Sequence, residues 1–231
     1  MGTFQEQKSI SIVIPTLDAA AELPGTLAAL AGSALIREII VSDGGSRDDT
    51  LAIADAAGAR LVTGPGGRGI QLIAGAAAAT GEWLLFLHAD CRLAPGWEKA
   101  AAEFAAQPGS SGHAGYFGFA LDDPDPAARR LEWIVAWRCR VLALPYGDQG
   151  LLIPYRLYDA VGGFAPIPLM EDIDLVRRLG RRRLVPIAAH AISSARRYRS
   201  EGYLRRPLRN LLCLSLYFAG VPPRQITRLY G

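Results

Sequence analysis

The sequence predicts an α/β fold with a parallel central sheet. Short β-rich apolar runs alternate three times with helical segments over residues 9–90, and the connections between them are only a few residues long. This rhythm is typical of strand–helix–strand units with right-handed crossovers. The chain has 231 residues, of which 50% are hydrophobic and 20% are charged. It can therefore close one hydrophobic core, and this composition excludes fibrous and disordered classes.

The first four strands are predicted from apolar runs that end in polar or glycine-rich residues. They are SISIVI at 9–14, EIIVSD at 38–43, ARLVTG at 59–64 and WLLFLHAD at 83–90. Three helices are predicted between these strands, and the second has the polarity expected of a helix, with two acids at its start and Gly58 at its end. They are ELPGTLAALAG, DDTLAIADAAG and the Ala-rich segment that follows GGRG.

After residue 95 the rhythm changes. PGWEKAAAEFAAQ predicts a helix, and GHAGYFGFALDD alternates like an edge strand or hairpin. PAARRLEWIVAWRCRVLAL predicts a long amphipathic helix. LLIP, MEDIDLVRRLG and RLVPIAAH then follow as strand, helix and strand, and the tail from Glu201 as a helix pair broken by Pro222 and Pro223.

Charge and cysteine content narrow the function classes. The net charge is +3, yet residues 171–231 contain thirteen arginines and four acidic residues, a local charge of +9. Arginine suits planar contacts with phosphate, so a phosphorylated ligand or an anionic surface fits, whereas no nucleic-acid-binding motif accompanies the charge. Three widely spaced cysteines favour reduced thiols. The N-terminus lacks a secretory pattern, and the apolar stretches fall short of the roughly 20 residues of a bilayer span, so we expect a cytoplasmic protein.

Polar residues follow the strands where ligands of open parallel sheets bind. These segments are PTLD at 15–18, DGGSRDDT at 43–50, GGRG at 66–69 and HAD at 88–90. Each alone is a weak signal. A tight turn in which Ser46 caps the next helix explains DGGS as well as a binding site does.

The order of these motifs resembles family 2 of the inverting glycosyltransferases, which have the GT-A fold. The resemblance covers about residues 9–200 and includes GDQGLLIPYRLYDAVGGF and MEDIDLVRRL. SSARRYRSEG and the hydrophobic C-terminal segment further resemble short bacterial members sometimes associated with arsenosugar biosynthesis. The resemblance implies a Rossmann-like nucleotide-binding half with a mixed central sheet and helices on both faces. We expect a single domain over 1–231, with a nucleotide-sugar-binding half at about 9–95, an acceptor half at about 96–200 and a C-terminal helical segment at about 201–231.

The resemblance also implies the residues that bind a nucleotide-diphosphate sugar, with UDP and GDP both open. The acid at Asp43, with Gly44 beside it, is expected to contact the base, because a carboxylate accepts hydrogen bonds from ring N–H groups. Pro15, Thr16 and Asp18 are expected to border the same pocket. Arg68 matches the basic residue near the diphosphate, with a solvated arginine at a helix start as the alternative.

HAD at 88–90 corresponds to the family's metal-binding DxD motif, with Ala89 in its middle and His88 in place of the first acid. Mn²⁺ or Mg²⁺ bridging two phosphates needs few protein oxygens, so Asp90 is expected to suffice as its protein ligand. The role of His88 is left open: it could bind the metal, form a hydrogen bond to the ligand, or only pack against its neighbours.

Catalysis is expected from the ED pair at Glu171 and Asp172, in which Asp172 is the general base that an inverting displacement requires. Acidic residues favoured at a helix N-terminus are the structural alternative. GDQG is expected to place Asp148 and Gln149 at the donor-sugar or acceptor edge, although a turn explains it nearly as well.

Arg196 and Arg197 lie where processive relatives carry QxxRW, and we expect them to neutralise the departing diphosphate. The missing Gln and Trp argue against polymer synthesis.

Other functions remain open at this point. A sugar-phosphate nucleotidyltransferase lacks support because its glycine-rich opening motif is absent. A non-catalytic nucleotide-sugar-binding protein is favoured by His88 and opposed by Asp172. The apolar stretch after Arg205, Arg206 and Arg209 fits peripheral contact with the inner membrane face, and ordinary core packing or a homodimer interface explains it as well. The acceptor is not identified.

Overall fold

Eight strands form one mixed sheet in the computed structural model, which describes residues 9–230. They are β1 (Ile10–Thr16), β2 (Ile36–Asp43), β3 (Arg60–Thr63), β4 (Trp83–Phe86), β5 (Cys91–Leu93), β6 (Ala114–Leu121), β7 (Leu151–Pro154) and β8 (Leu184–Ser193). Their order in the sheet is β3-β2-β1-β4-β7-β6-β8-β5. β1 pairs in parallel with β2 and β4, and β2 with β3, whereas β7 pairs antiparallel with both β4 and β6.

Helices connect the strands. They are α1 (Leu23–Ala28), α2 (Thr50–Ala56), α3 (Arg68–Ala78), α4 (Trp97–Ala106), α5 (Pro126–Leu142), α6 (Tyr155–Ala160), α7 (Glu171–Leu179), α8 (Arg196–Glu201), α9 (Arg205–Phe218) and α10 (Pro223–Tyr230). The order β1-α1-β2-α2-β3-α3-β4 confirms the predicted alternation. The helix pair predicted after Glu201 is confirmed as α9 and α10.

The parallel half owes its order to strands that are buried on both faces. Ile12 and Ile14 of β1 are inaccessible to solvent and pack in one apolar cluster, while Val13 packs in the cluster on the opposite face. This explains why β1 reads as a continuous apolar run rather than an alternating one. The prediction of buried parallel strands is confirmed for β1 and for the C-terminal half of β2.

Glycines allow α3 to approach its neighbours closely. A Cβ at Gly75 would lie 2.4 Å from Cγ1 of Val13, and one at Gly69 would lie 2.4 Å and 2.7 Å from the carbonyl oxygens of Ala165 and Ile167. Any larger residue at these two positions would push the helix away. Gly69 therefore brings the first turn of α3 against the segment that leads into α7.

The prediction of an edge strand or hairpin at residues 112–123 is wrong, because β6 lies inside the sheet. It pairs antiparallel with β7 and parallel with β8. Phe117 is completely buried, and Gly115 and Gly118 sit against the side chains of Ile187 and His190. The alternation that suggested an exposed strand reflects small residues that admit side chains of β8. The edge beyond β8 is formed by β5, which the sequence did not reveal.

The C-terminal helices pack on α7. Cys213, Leu214 and Ile226 share an apolar cluster with Ile173 and Val176. Among the described residues, no helix is long and apolar enough to cross a bilayer.

Candidate active site

The carboxyl ends of β1 and β4 open into a cleft of about 600 Å³. Nine of the residues predicted for the site line it: Pro15, Thr16, Asp18, Arg68, His88, Ala89, Asp90, Arg196 and Arg197. They come from both halves of the chain. The cleft is therefore where the parallel sheet and the C-terminal arginines meet, as expected for a ligand site in an open α/β sheet.

Asp43 lies beneath this cleft rather than on its wall. Its buried carboxylate accepts hydrogen bonds from the Thr16 hydroxyl at 3.0 Å, from the backbone N–H groups of Gly45 and Ser46 at 2.8 Å each, and from the Ser46 hydroxyl. Burial alone would raise the pKa of Asp43, yet these hydrogen bonds hold it below its usual value. The carboxylate thus organises the loop after β2, and a contact with a base would require it to exchange one of these donors.

The loops after β1 and β2 are tied together. Asp18 has a left-handed backbone (φ 48°), its N–H donates to the Ser46 hydroxyl at 2.9 Å, and its Oδ1 accepts from the N–H of Arg47 at 2.8 Å. The strained backbone is held by these bonds at the rim of the cleft.

Gly44 is held close to the start of α3. A Cβ there would lie 3.0 Å from the amide of Gln71 and 3.1 Å from Cα of Gly66. The Gln71 amide donates to the carbonyl oxygens of Thr16, at 2.6 Å, and Ser42, at 3.0 Å. Gln71 therefore fixes the ends of both strands, a role that the sequence pattern did not indicate.

Arg68, on the wall of the cleft, pairs with Glu171 of α7. The guanidinium Nε donates to Oε1 of the completely buried Glu171, while the Arg68 side chain remains 31% exposed. Oε2 of Glu171 is buried without a hydrogen-bond partner. Burial raises the pKa of Glu171, and Arg68 opposes that rise. The pair joins α3 to α7, a link between residues 103 positions apart that the sequence analysis did not foresee.

Asp172 is fixed at the N-terminus of α7. Its Oδ2 accepts from the N–H of Gly147 at 2.7 Å and its Oδ1 from the N–H of Ile173 at 2.8 Å. The residue before the ED pair, Met170, has a left-handed backbone (φ 66°), uncommon for a side chain with a Cβ. Asp172 lines a recess of about 100 Å³ that also contains Arg68, His88 and Asp90.

His88 lines the recess together with Asp90 and Asp172. A Cβ at Gly147 would lie 2.6 Å from its Nε2, so only glycine fits there. Burial, together with the nearby Arg68, lowers the pKa of His88 to about 4. The imidazole is thus neutral at pH 7 and keeps a lone pair for a hydrogen bond or a metal ion.

Asp148 and Gln149 are neighbours in the chain, but their side chains lie on different sides of the 3₁₀ turn. Asp148 lines the recess beside Asp172, its Oδ1 is buried without a partner, and burial raises its pKa to about 6. The amide of Gln149 is buried on the other side, where it donates to the carbonyl of Phe117 at 3.0 Å and accepts from the N–H of Tyr146 at 3.2 Å. The expectation that Gln149 contacts the ligand is therefore corrected: its amide holds the 3₁₀ turn that presents Asp148.

The C-terminal helices close the far side of the recess. Tyr146, Tyr198, Arg206 and Asn210 also line it, and none of them was predicted as a site residue. Oδ1 of Asn210 is buried without a partner. The guanidinium of Arg138 lies 3.4 Å above the ring of Tyr146 and holds it in place. Arg206 and Asn210 lie far along the chain from the strand-end motifs, which is why the sequence did not reveal these two.

Arg196 and Arg197 reach the main cleft from α8. Arg196 forms an ion pair with Glu22 at 2.7 Å and is 73% exposed. Arg197 lines both the cleft and the recess. Together with Arg68 they place three guanidinium groups around the cleft.

Comparison with known proteins gives a family match. The family model described as glycosyl transferase family 2 matches residues 11–168. A PGL/p-HBAD biosynthesis glycosyltransferase of Mycobacterium tuberculosis (strain ATCC 25177 / H37Ra) is 43% identical over 97 residues, and a protein of the same name from Mycobacterium bovis (strain BCG / Pasteur 1173P2) matches equally. The match covers 36% of this chain and 36% of each relative.

Solved structures show the same fold. Glucosyl-3-phosphoglycerate synthase from Mycobacterium tuberculosis, in complex with Mn²⁺, UDP and glucosyl-3-phosphoglycerate, superposes with a TM-score of 0.60 at 22% identity. The similarity covers 93% of this chain and 81% of that one. A complex of the same synthase with Mg²⁺ and UDP gives a TM-score of 0.60 at 21% identity, over 93% of this chain and 80% of that one. The expected GT-A architecture is thereby confirmed.

Proposed function

Because the chain belongs to glycosyl transferase family 2, we propose that it moves a sugar from a nucleotide-diphosphate sugar to a hydroxyl acceptor with inversion at the anomeric carbon. One observation carries this proposal. The carboxylate of Asp172 lines a recess next to the main cleft, and Arg68 and Arg197 line both the recess and the cleft. Such a site offers a base on one side and positive charge for a leaving diphosphate on the other.

Asp172 is the proposed general base. As the acceptor oxygen attacks the anomeric carbon, Asp172 takes the hydroxyl proton, and the bond from the anomeric carbon to the diphosphate oxygen breaks. Single displacement from the opposite face inverts the configuration. The hydrogen bond from Gly147 at 2.7 Å orients Oδ2 and leaves further lone pairs on the carboxylate for the proton.

Arg68 and Arg197 are proposed to face the departing diphosphate. Arg68 reaches this position while its Nε is held by Glu171, so its charge is fixed before the donor binds. Glu171 is therefore proposed as a positioning residue. Arg196 lies at the outer edge, where its pairing with Glu22 leaves it largely exposed.

The site fits a divalent metal ion that the donor helps to bind. Among the residues the structure describes, no group of three or more His, Cys, Asp or Glu side chains could hold an ion by itself. Asp90 and the neutral His88 line the cleft and would supply protein ligands, with phosphate oxygens and water completing the shell. When bound, Mn²⁺ or Mg²⁺ offsets the negative charge that develops on the diphosphate.

UDP is the nucleotide we propose for the donor. Glucosyl-3-phosphoglycerate synthase, whose fold this chain shares, was crystallised with UDP and Mn²⁺. Asp43 at the end of β2 suits the imide N–H of uracil, provided that it exchanges a donor from the Ser46 loop. GDP is the alternative that the first experiment distinguishes.

A non-catalytic nucleotide-sugar-binding protein is the second candidate, and His88 in place of the first acid of DxD favours it. The placement of Asp172 opposes it, because a binding module has no need of a fixed carboxylate beside the sugar.

We also propose that α9 makes peripheral contact with a membrane. Leu204, Leu208, Leu211 and Leu212 are all more than half exposed, so ordinary core packing does not explain them.

The test uses UDP-glucose and GDP-mannose with Mn²⁺. We expect UDP to raise the melting temperature and UDP-glucose to be turned over, with water as acceptor where no other is supplied. Asp172→Asn should keep UDP binding and lose about 10²–10⁴-fold in turnover. Asp174→Asn is the matched control, since Asp174 lies on the same helix and pairs with Arg178. Equal rates for Asp172→Asn and the wild type would remove Asp172 from the mechanism, and no shift with either nucleotide would refute the donor site.

A further inference from the structure

The outer face of α5 exposes large apolar side chains together with arginines. Trp133 is 70% exposed, Trp137 50%, Ile134 52% and Val141 42%. Positions 133, 134, 137 and 141 recur at helical spacing, so these side chains share one face. Leu131 and Val135 occupy the opposite face and pack against the sheet. Large apolar side chains grouped on one exposed helix face mark an interaction site.

A strong positive charge surrounds this stripe. Arg130 and Arg140 are exposed on α5. Arg181 donates to the carbonyl oxygens of Val141, at 2.9 Å, and Arg140, at 3.1 Å, and thereby fixes the 3₁₀ helix Arg181–Arg183 at the end of α5. Within α5 the acidic residue is Glu132, which is mostly buried and paired with Arg129 at 2.7 Å.

From these two features we propose that α5 and the adjoining Arg181–Arg183 segment dock on an anionic lipid surface. Tryptophan and aliphatic side chains enter the boundary between headgroups and acyl chains, while the arginines contact acidic headgroups. A second copy of the chain fits less well, because a symmetric interface would bring the same arginines to both of its sides. The name docking face is used below for Trp133, Trp137, Arg140 and Arg181–Arg183.

The C-terminal helices connect the docking face with the active site. Tyr198 and Tyr203 pack on the apolar cluster that includes the buried face of α5, and the Tyr203 hydroxyl donates to Asp123, shortly before α5, at 2.8 Å. α9 presents exposed leucines outward and lines the recess next to Asp172 with Asn210. Docking would therefore hold the recess that contains Asp172 near the lipid surface. The binding of lipid does not itself depend on the proposed transfer reaction.

The experiment measures binding of the full chain to vesicles. We expect sedimentation with vesicles of equal parts phosphatidylcholine and phosphatidylglycerol, weaker binding to pure phosphatidylcholine, and loss of binding in high salt. Each arginine near an anionic surface strengthens partition about fivefold, so Arg182→Ala with Arg183→Ala should weaken it about 25-fold. The matched control is Arg37→Ala with Arg156→Ala, two exposed arginines elsewhere, with the same change in charge.

Tryptophan fluorescence gives a second readout. Trp133 and Trp137 are exposed, whereas Trp83 and Trp97 are 3% and 1% exposed. Anionic vesicles should shift the emission to shorter wavelength, and Trp133→Gln with Trp137→Gln should abolish the shift and strongly weaken the binding. The stabilisation by UDP should be unchanged in these variants, which separates this inference from the proposed function. Absence of binding to anionic vesicles, equal binding to neutral ones, or a solution dimer that the tryptophan variant dissociates would overturn the proposal.

Discussion

Removal of the Arg68 guanidinium should destabilise the protein because it strands a buried charge. Glu171 is completely buried and its Oε2 has no partner, so Arg68→Met leaves the carboxylate without its cation. Loss of one partner of a fully buried pair costs about 3–5 kcal/mol. Because Arg68 is 31% exposed and water can enter its place, we expect about 2–3 kcal/mol. For a chain of this size that corresponds to a fall of roughly 5–10 °C in melting temperature.

The second partner supplies the control. Arg68→Met with Glu171→Gln removes both charges and should recover most of the stability, but not the binding of the diphosphate. The loss in Arg68→Met alone should be larger at pH 8 than at pH 5. Burial raises the pKa of Glu171 in the folded state, so protonation at low pH relieves the stranded charge and ionisation at high pH restores it.

The assay is urea unfolding of the wild type, both single variants and the double variant at the two pH values, which gives a coupling free energy. If the double variant is as unstable as Arg68→Met, or if the single variant loses less than about 0.5 kcal/mol, a figure typical of ordinary surface substitutions, the ion pair does not hold α3 to α7 as argued.

Three further outcomes are expected. Asp90→Ala should reduce turnover of UDP-glucose more than it reduces UDP binding, and His88→Ala should have a milder effect because water can replace one weak ligand. Excess chelator should abolish turnover and Mn²⁺ should restore it, whereas full activity in chelator would exclude a role for the metal. Asp148→Asn should raise the melting temperature at pH 8 relative to the wild type and not at pH 4, because burial raises the pKa of Asp148 to about 6 and the folded wild type loses stability as pH rises through that value; an equal gain at both pH values would contradict this. Asp43→Ala should weaken binding of free UDP, since it frees the loop held through Ser46, and calorimetry showing unchanged affinity would place the base elsewhere.

Much of the nucleotide half could be predicted from the sequence because its signals are local. The apolar runs lie within β1 and β2 themselves, and the glycines and acids that mark turns and helix ends lie within a few residues of them. Strand ends of a parallel sheet meet at one edge whatever the details, so PTLD, GGRG and HAD could be assigned to one cleft. In this half, the contacts of Asp43 were not foreseen: its carboxylate accepts hydrogen bonds from the N–H groups of Gly45 and Ser46 in the loop after β2.

Periodicity and motif order were enough to predict the α/β alternation, the family and the residue types that gather at the strand ends. Which distant side chains meet depends instead on how the elements pack. Three contacts depend on how α3, α7 and α9 pack: Arg68 pairs with Glu171, Gly147 lies close to His88, and Asn210 lines the recess. The same holds for β6, whose place inside the sheet follows from the fit of Gly115 and Gly118 against β8. Such contacts arise from shape and burial between elements far apart in the chain, and no local pattern encodes them.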